Sequence, residues 1–136
     1  MKKLLLFILL VNSITIFSQV ILPEGKPMIS EEELKERGFK MANYPGGISA
    51  FRRNFSQIFD GSKINSKGKV KSEVQFVISE EGNVGDIITI GDNKSMNKEM
   101  ERAARLLSKT KWIPAEIDGK PVKFRFRLPI TIDAIE

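Results

Sequence analysis

Among its 136 residues the chain has no cysteine and no histidine. Without cysteine there can be no disulfide, no thiol nucleophile, no zinc–thiolate site and no lipid on an N-terminal cysteine. The missing histidine removes the usual general base and the commonest metal ligand. An enzyme here would have to work with carboxylates and lysines. Glu73, Asp86 and Glu101 are the candidates, but no spacing joins them to a pocket, so they read as surface carboxylates and no catalytic residue, cofactor or metal is expected. Long apolar runs are scarce too. The stretch 4–17 is interrupted by Asn12, Ser13 and Thr15 and falls short of the ~20 apolar residues that a spanning helix needs. Net charge is a modest +5, which lacks the density of a nucleic-acid binder.

What the chain does have begins with a processing signal. Lys2 and Lys3, the apolar run 4–10 and Ser18 before Gln19 read as a signal peptide over residues 1–18. A retained anchor is the alternative, and membrane association follows only from it. Residues 19–43 read as a linker rich in turn formers (Pro23, Gly25, Pro27), with a brief helix over 31–37. Ser30 caps that helix and Glu33 reaches back to it. The remainder, 44–136, has the length of one small domain.

Within it, Tyr44-Pro45-Gly46-Gly47 makes a turn from which a helix can start. Ile48, Phe51, Phe55, Ile58 and Phe59 recur at helical spacing and form a core stripe. Val70, Val74, Phe76 and Ile78 alternate with polar residues as a strand, followed by a hairpin loop with Gly82 at its left-handed position. The returning strand, 84–90, has its alternation blurred by Ile87 and Ile88, so its faces stay unassigned. A second helix, capped by Ser95, turns Met96, Met100, Ala103 and Leu107 inward and Lys98, Glu99, Arg102 and Arg105 outward. Pro114 closes that region, and Asp118-Gly119 supplies a turn.

The last strand is the most informative. Val122, Phe124, Phe126 and Leu128 share one face; Lys123, Arg125 and Arg127 share the other. Pro129 donates no ladder bond, so the strand should end there or form an edge. The expectation is an α+β two-layer sandwich in the order α-β-β-α-β. It has a three-stranded antiparallel sheet, the first strand central, and two helices on one face.

These signals, in this order, resemble the C-terminal domain of TonB in the form common among TonB-like proteins of the Bacteroidetes. The likeness rests on Tyr44-Pro45-Gly46-Gly47 with Phe51 and Phe55, Gly68-Lys69-Val70, Val74 to Ile78, and Glu81-Gly82-Asn83-Val84. Met96 to Met100, Lys111-Trp112-Ile113-Pro114-Ala115, Asp118-Gly119-Lys120-Pro121-Val122 and Leu128-Pro129-Ile130 complete it. It implies a periplasmic, non-catalytic module that reads an extended segment of an outer-membrane transporter, the TonB box, by adding it to a sheet edge. Val122, Lys123, Phe124, Arg125, Phe126, Arg127 and Leu128 would form that edge, and Arg125 and Arg127 suit an acidic segment. Tyr44, Pro45, Gly46, Gly47, Trp112, Pro114 and Gly119 would be structural. The same basic residues could instead guard a bare edge, or the edge could pair with a second copy in a homodimer. The chain departs from the family's energy transducers in its short linker, its lack of histidine and in Phe59-Asp60-Gly61, which stands where a second Tyr-Pro is usual.

Overall fold

The structure, a computed structural model, describes residues 4–6, 19–21 and 30–135. In chain order its strands are β1 (Leu4–Leu6), β2 (Gln19–Ile21), β3 (Gly68–Ile78), β4 (Val84–Ile90), β5 (Ala115–Ile117) and β6 (Lys120–Ile135). Its helices are α1 (Glu31–Glu36), α2 (Ile48–Ile58) and α3 (Lys94–Leu107), with a 3₁₀ turn over Gly61–Lys63. The chain is α+β with an antiparallel sheet, as its alternating segments predict. The sheet runs β1-β6-β3-β4, and β2 and β5 also pair with β6. Four strands on this path replace the expected three, while α2 and α3 are the two expected domain helices and α1 is the brief helix expected in the linker. The extra strands are three-residue pieces, β1 and β2 from the expected signal and linker and β5 from the stretch before the Asp118-Gly119 turn, all too short to show alternation. They exist because β6 is long enough to offer them an edge.

β6 runs straight through Pro129, which pairs with Glu73 of β3 and has no strand on its other side among the described residues, so of the two expected outcomes the strand forms an edge there and does not end. The predicted division of faces holds nearly throughout. Phe124, Phe126 and Leu128 are buried, Lys123 is exposed, and Val122, Arg125 and Arg127 are half-buried. Val70, Val74, Phe76 and Ile78 of β3 and the β6 residues Phe124, Phe126, Leu128, Ile130 and Ile132 form one core with both long helices. α2 contributes Phe51 and Phe55. α3 contributes Met96, Met100, Ala103, Ala104 and Leu107.

The blurred strand has a cause. β3 and β4 change register between Gln75↔Ile88 and Val77↔Gly85, so β4 carries one extra residue there. Asp86 absorbs the bulge with φ +50°. Beyond it Ile88 and Ile90 face Gln75 and Glu73 on the side away from the helices, where they are 48% and 54% exposed.

Turn chemistry sets the other junctions. Asp118 and Gly119, with φ of 55° and 74°, join β5 to β6 through a two-residue hairpin whose central residues both need positive φ. Gly47 caps α2 and returns its N–H to Tyr44 O at 2.7 Å, while Tyr44 and Trp112 are both buried against Phe51. Pro45 and Gly46 sit exposed on the turn and Pro114 is half-buried before β5. Ser30 caps α1 as predicted, accepting from Glu33 N at 3.1 Å, but the Glu33 carboxylate lies 3.8 Å from Arg37.

One expectation needs correction, and one set of contacts goes beyond the sequence reading. α3 is capped by Asn93, not Ser95: Asn93 Oδ1 accepts from Met96 N at 2.9 Å, and Ser95 Oγ donates to the same oxygen at 2.6 Å. The second half of the linker is pinned to the domain. Lys40 and Glu116 exchange backbone bonds of 2.9 Å each way, Asn43 bridges Ile113, and Phe39 stacks on Phe124 at 6.3 Å. These contacts join residues far apart in sequence, so local pattern does not announce them.

Candidate functional site

A β-strand has two hydrogen-bonding edges, and β6 uses both. Phe124 is paired with Ile78 of β3 and also with Val20 of β2; Ala134 is paired with Gly68 and also with Leu5 of β1. β1 and β2 therefore lie on the outer edge, away from β3. This is the edge on which Val122 to Leu128 would receive a partner. It is not bare. Gln19, Val20 and Ile21 occupy it opposite Arg125, Phe124 and Lys123. Between Arg125 and Asp133, where β1 begins to pair, no strand lies on this edge among the described residues.

The side chains along β6 divide the work. Phe124, Phe126 and Leu128 point into the core and fix the strand's position. Lys123, Arg125 and Arg127 form a basic row on the outer face, where Arg125 neighbours Val77 and Arg127 neighbours Gln75. Gln75 is only 5% exposed, and its amide donates to Glu73 at 2.8 Å. Arg127 Nε is buried and has no hydrogen-bond partner among the described residues. A buried donor without an acceptor costs on the order of 1–3 kcal/mol. A carboxylate or carbonyl brought to this face would relieve that cost. At the hairpin end the same face opens into a shallow groove of about 310 Å³ bordered by Glu81, Asp86 and Lys123.

The carboxylates considered for catalysis do not converge. Glu73 holds Gln75, Glu101 pairs with Arg105 at 2.6 Å, and Asp86 sits exposed at the bulge. Glu99, which helical spacing places outside, is instead 2% exposed. It borders a groove of about 640 Å³ with Ser62, Lys98 and Arg102. Both its oxygens are taken. Oε1 accepts from Arg102 Nε at 2.6 Å, and Oε2 accepts from the second Arg102 nitrogen at 2.7 Å and from Asp60 N at 2.6 Å. Arg102 also donates to Ile58 O at 2.8 Å. This unit clamps α3 to the end of α2, and the Glu99 bonds hold the Arg102 guanidinium above its ordinary pKa. The i,i+3 spacing of Glu99 and Arg102 was the available sequence signal. Among the described residues no group of three or more histidine, cysteine, aspartate or glutamate side chains could hold a metal ion. No described helix is long and apolar enough to cross a membrane.

Asp60 gives a local test of this junction. Bonds from the Ser62 hydroxyl at 2.6 Å and from Ser62 N at 3.0 Å hold its carboxyl below the usual aspartate range. The hydroxyl bond is the larger cause. A depressed folded pKa adds stability that is present above the unfolded value and lost as pH falls through the folded one. Ser62→Ala should therefore move the Asp60 titration upward, part of the way back, in a carbon-detected NMR titration. An unmoved titration would exclude the hydroxyl as the cause.

Comparison with protein-family models, with curated proteins and with solved structures finds no match for this chain.

Proposed function

We propose that this chain is a non-catalytic, periplasmic, TonB-like binding module. It would be exported by residues 1–18 and would capture an extended peptide from an outer-membrane transporter or another envelope protein. The peptide would add as a strand to the outer edge of β6 along residues 122–128, a step linked to energy-dependent transport across the outer membrane. The observation that carries the reading is the double pairing of β6. Its outer edge accepts strands, since two segments of the chain pair with it, while its inner edge is locked to β3. Main-chain bonds would provide affinity and alternate side chains preference. The basic row of Lys123, Arg125 and Arg127, with Arg127 Nε lacking an acceptor among the described residues, suits an acidic residue in the peptide.

The test is an NMR titration of residues 19–136 with peptides from the periplasmic N-termini of the same organism's outer-membrane transporters. Saturable shifts centred on residues 122–128 and on Gln19–Ile21, which pairs with that edge, are expected. No shifts from any peptide, with residues 126–132 protected from exchange and a concentration-dependent mass, would replace this reading by a homodimer joined through the same edge. Arg125→Glu should leave the unfolding free energy within about 0.5 kcal/mol of the parent, as for an ordinary surface change. It should weaken an acidic peptide several-fold. Unfolding of that variant would show that Arg125 does more than face solvent.

A further inference from the structure

The strand β2 covers part of the edge where a partner would bind, and its position along the chain makes that contact conditional. We infer that Gln19–Ile21 is a tethered substitute for the partner's strand, held on β6 until a competing strand displaces it. The inference rests on the reading of β6 as a receptor edge.

Three observations support it. β2 takes the backbone positions Lys123, Phe124 and Arg125, which lie in the first half of the 122–128 register. A partner cannot simply bind alongside it. The edge beyond Arg125 reaches Pro129 after three residues, and Pro129 carries no N–H. A strand of useful length therefore needs 123–125 as well as 126–128. Finally, β2 pairs over only three residues, yet just eight residues link it to Ser30 and the ordered domain. Short strands are weak, but a short tether gives an effective concentration on the order of millimolar. The result is a contact that closes the edge in the resting chain and yields to a longer strand. Removal of residues 1–18 would leave Gln19 as the first residue, take β1 away and keep β2.

The experiment uses the chain from Gln19, which keeps every residue of the core cluster between Ala42 and Ile132. The variant is Val20→Pro with Ile21→Pro. Neighbouring N–H groups in a strand point to opposite sides, so one of the two prolines removes a donor aimed at β6. Amide exchange is read at 123–125, with β3 as the folding control. The probe is a synthetic peptide of residues 19–29, followed by the transporter peptides. Protection should fall in the variant at those amides of 123–125 that point toward β2, while those pointing toward β3, and β3 itself, stay protected. The probe should bind the variant about tenfold more tightly than the parent, the factor for an edge open one tenth of the time. A chain beginning at Leu22 should behave as the variant does, and it serves if the prolines disturb folding. Equal affinity for parent and variant, or no protection in the parent at the amides of 123–125 that point toward β2, would overturn the inference. If the 19–29 peptide exchanges as expected but no transporter peptide binds either chain, strand displacement stands and the envelope-partner reading falls.

Discussion

Phe51→Ala should destabilise the fold by about 3–5 kcal/mol, the cost of truncating a fully enclosed phenylalanine. Phe51 is 1% exposed, and five aromatic rings surround it: Tyr44, Phe55, Phe76, Trp112 and Phe126, at centroid distances from 5.3 to 6.2 Å. They come from the turn before α2, from α2 itself, from β3, from the stretch before β5 and from β6. One side chain therefore closes the layer between helix and sheet. The ring contacts are mostly tilted or edge-on, geometries that add about 0.5–1.5 kcal/mol each beyond area burial. Small domains have only about 5–15 kcal/mol in total, so this substitution removes a large share. Urea unfolding followed by the fluorescence of Trp112, the chain's only tryptophan, should show a much lower midpoint with an unchanged slope. A loss under about 1 kcal/mol would mean that the cluster repacks around the gap and that Phe51 is not its centre.

Gly82→Ala should cost about 2–5 kcal/mol, and for a different reason. Gly82 has φ +87°, and a Cβ built there lies 2.0 Å from the backbone oxygen of Trp112. The two residues are already joined, because Trp112 N donates to Gly82 O at 2.9 Å. An alanine must bear the left-handed conformation, about 1–2 kcal/mol, and must also push the chain before β5 away from the β3–β4 hairpin, about 1–3 kcal/mol of overpacking. Gly119→Ala separates the two effects. Gly119 has φ +74° but nothing within 4 Å of its Cβ position, so it should show the conformational cost alone. Equal losses at both positions would mean that the Trp112 carbonyl moves aside freely.

Both predictions concern residues that the sequence marks for other reasons. Gly82 is legible as a turn glycine, but its approach to Trp112 spans thirty residues and leaves no local trace. Phe51 is legible as part of an apolar stripe, not as the meeting point of five elements. Glu99 misleads in the opposite direction. Helix spacing puts it with Lys98 and Arg102 on the wet side, yet the end of α2 closes over it and supplies Asp60 N. β4 resists assignment because a bulge at Asp86 shifts which of its residues face the helices, and a period-two pattern with one inserted residue reads as noise.

The sequence by itself determined the α+β class, the β3–β4 hairpin, the helical stripes and the face division of β6. Each follows from periodicity, glycine conformation or proline chemistry within a few residues. It also marked β6 as the strand to watch, since no other segment sets three buried apolar residues against a wholly basic row. The tertiary structure alone decided how far β6 runs, that Gln19–Ile21 and Leu4–Leu6 lie on its outer edge, and that residues 39–43 join the domain. Those facts depend on backbone pairing between distant segments. Backbone groups are the same in every residue, so such pairing leaves almost no mark on side-chain pattern.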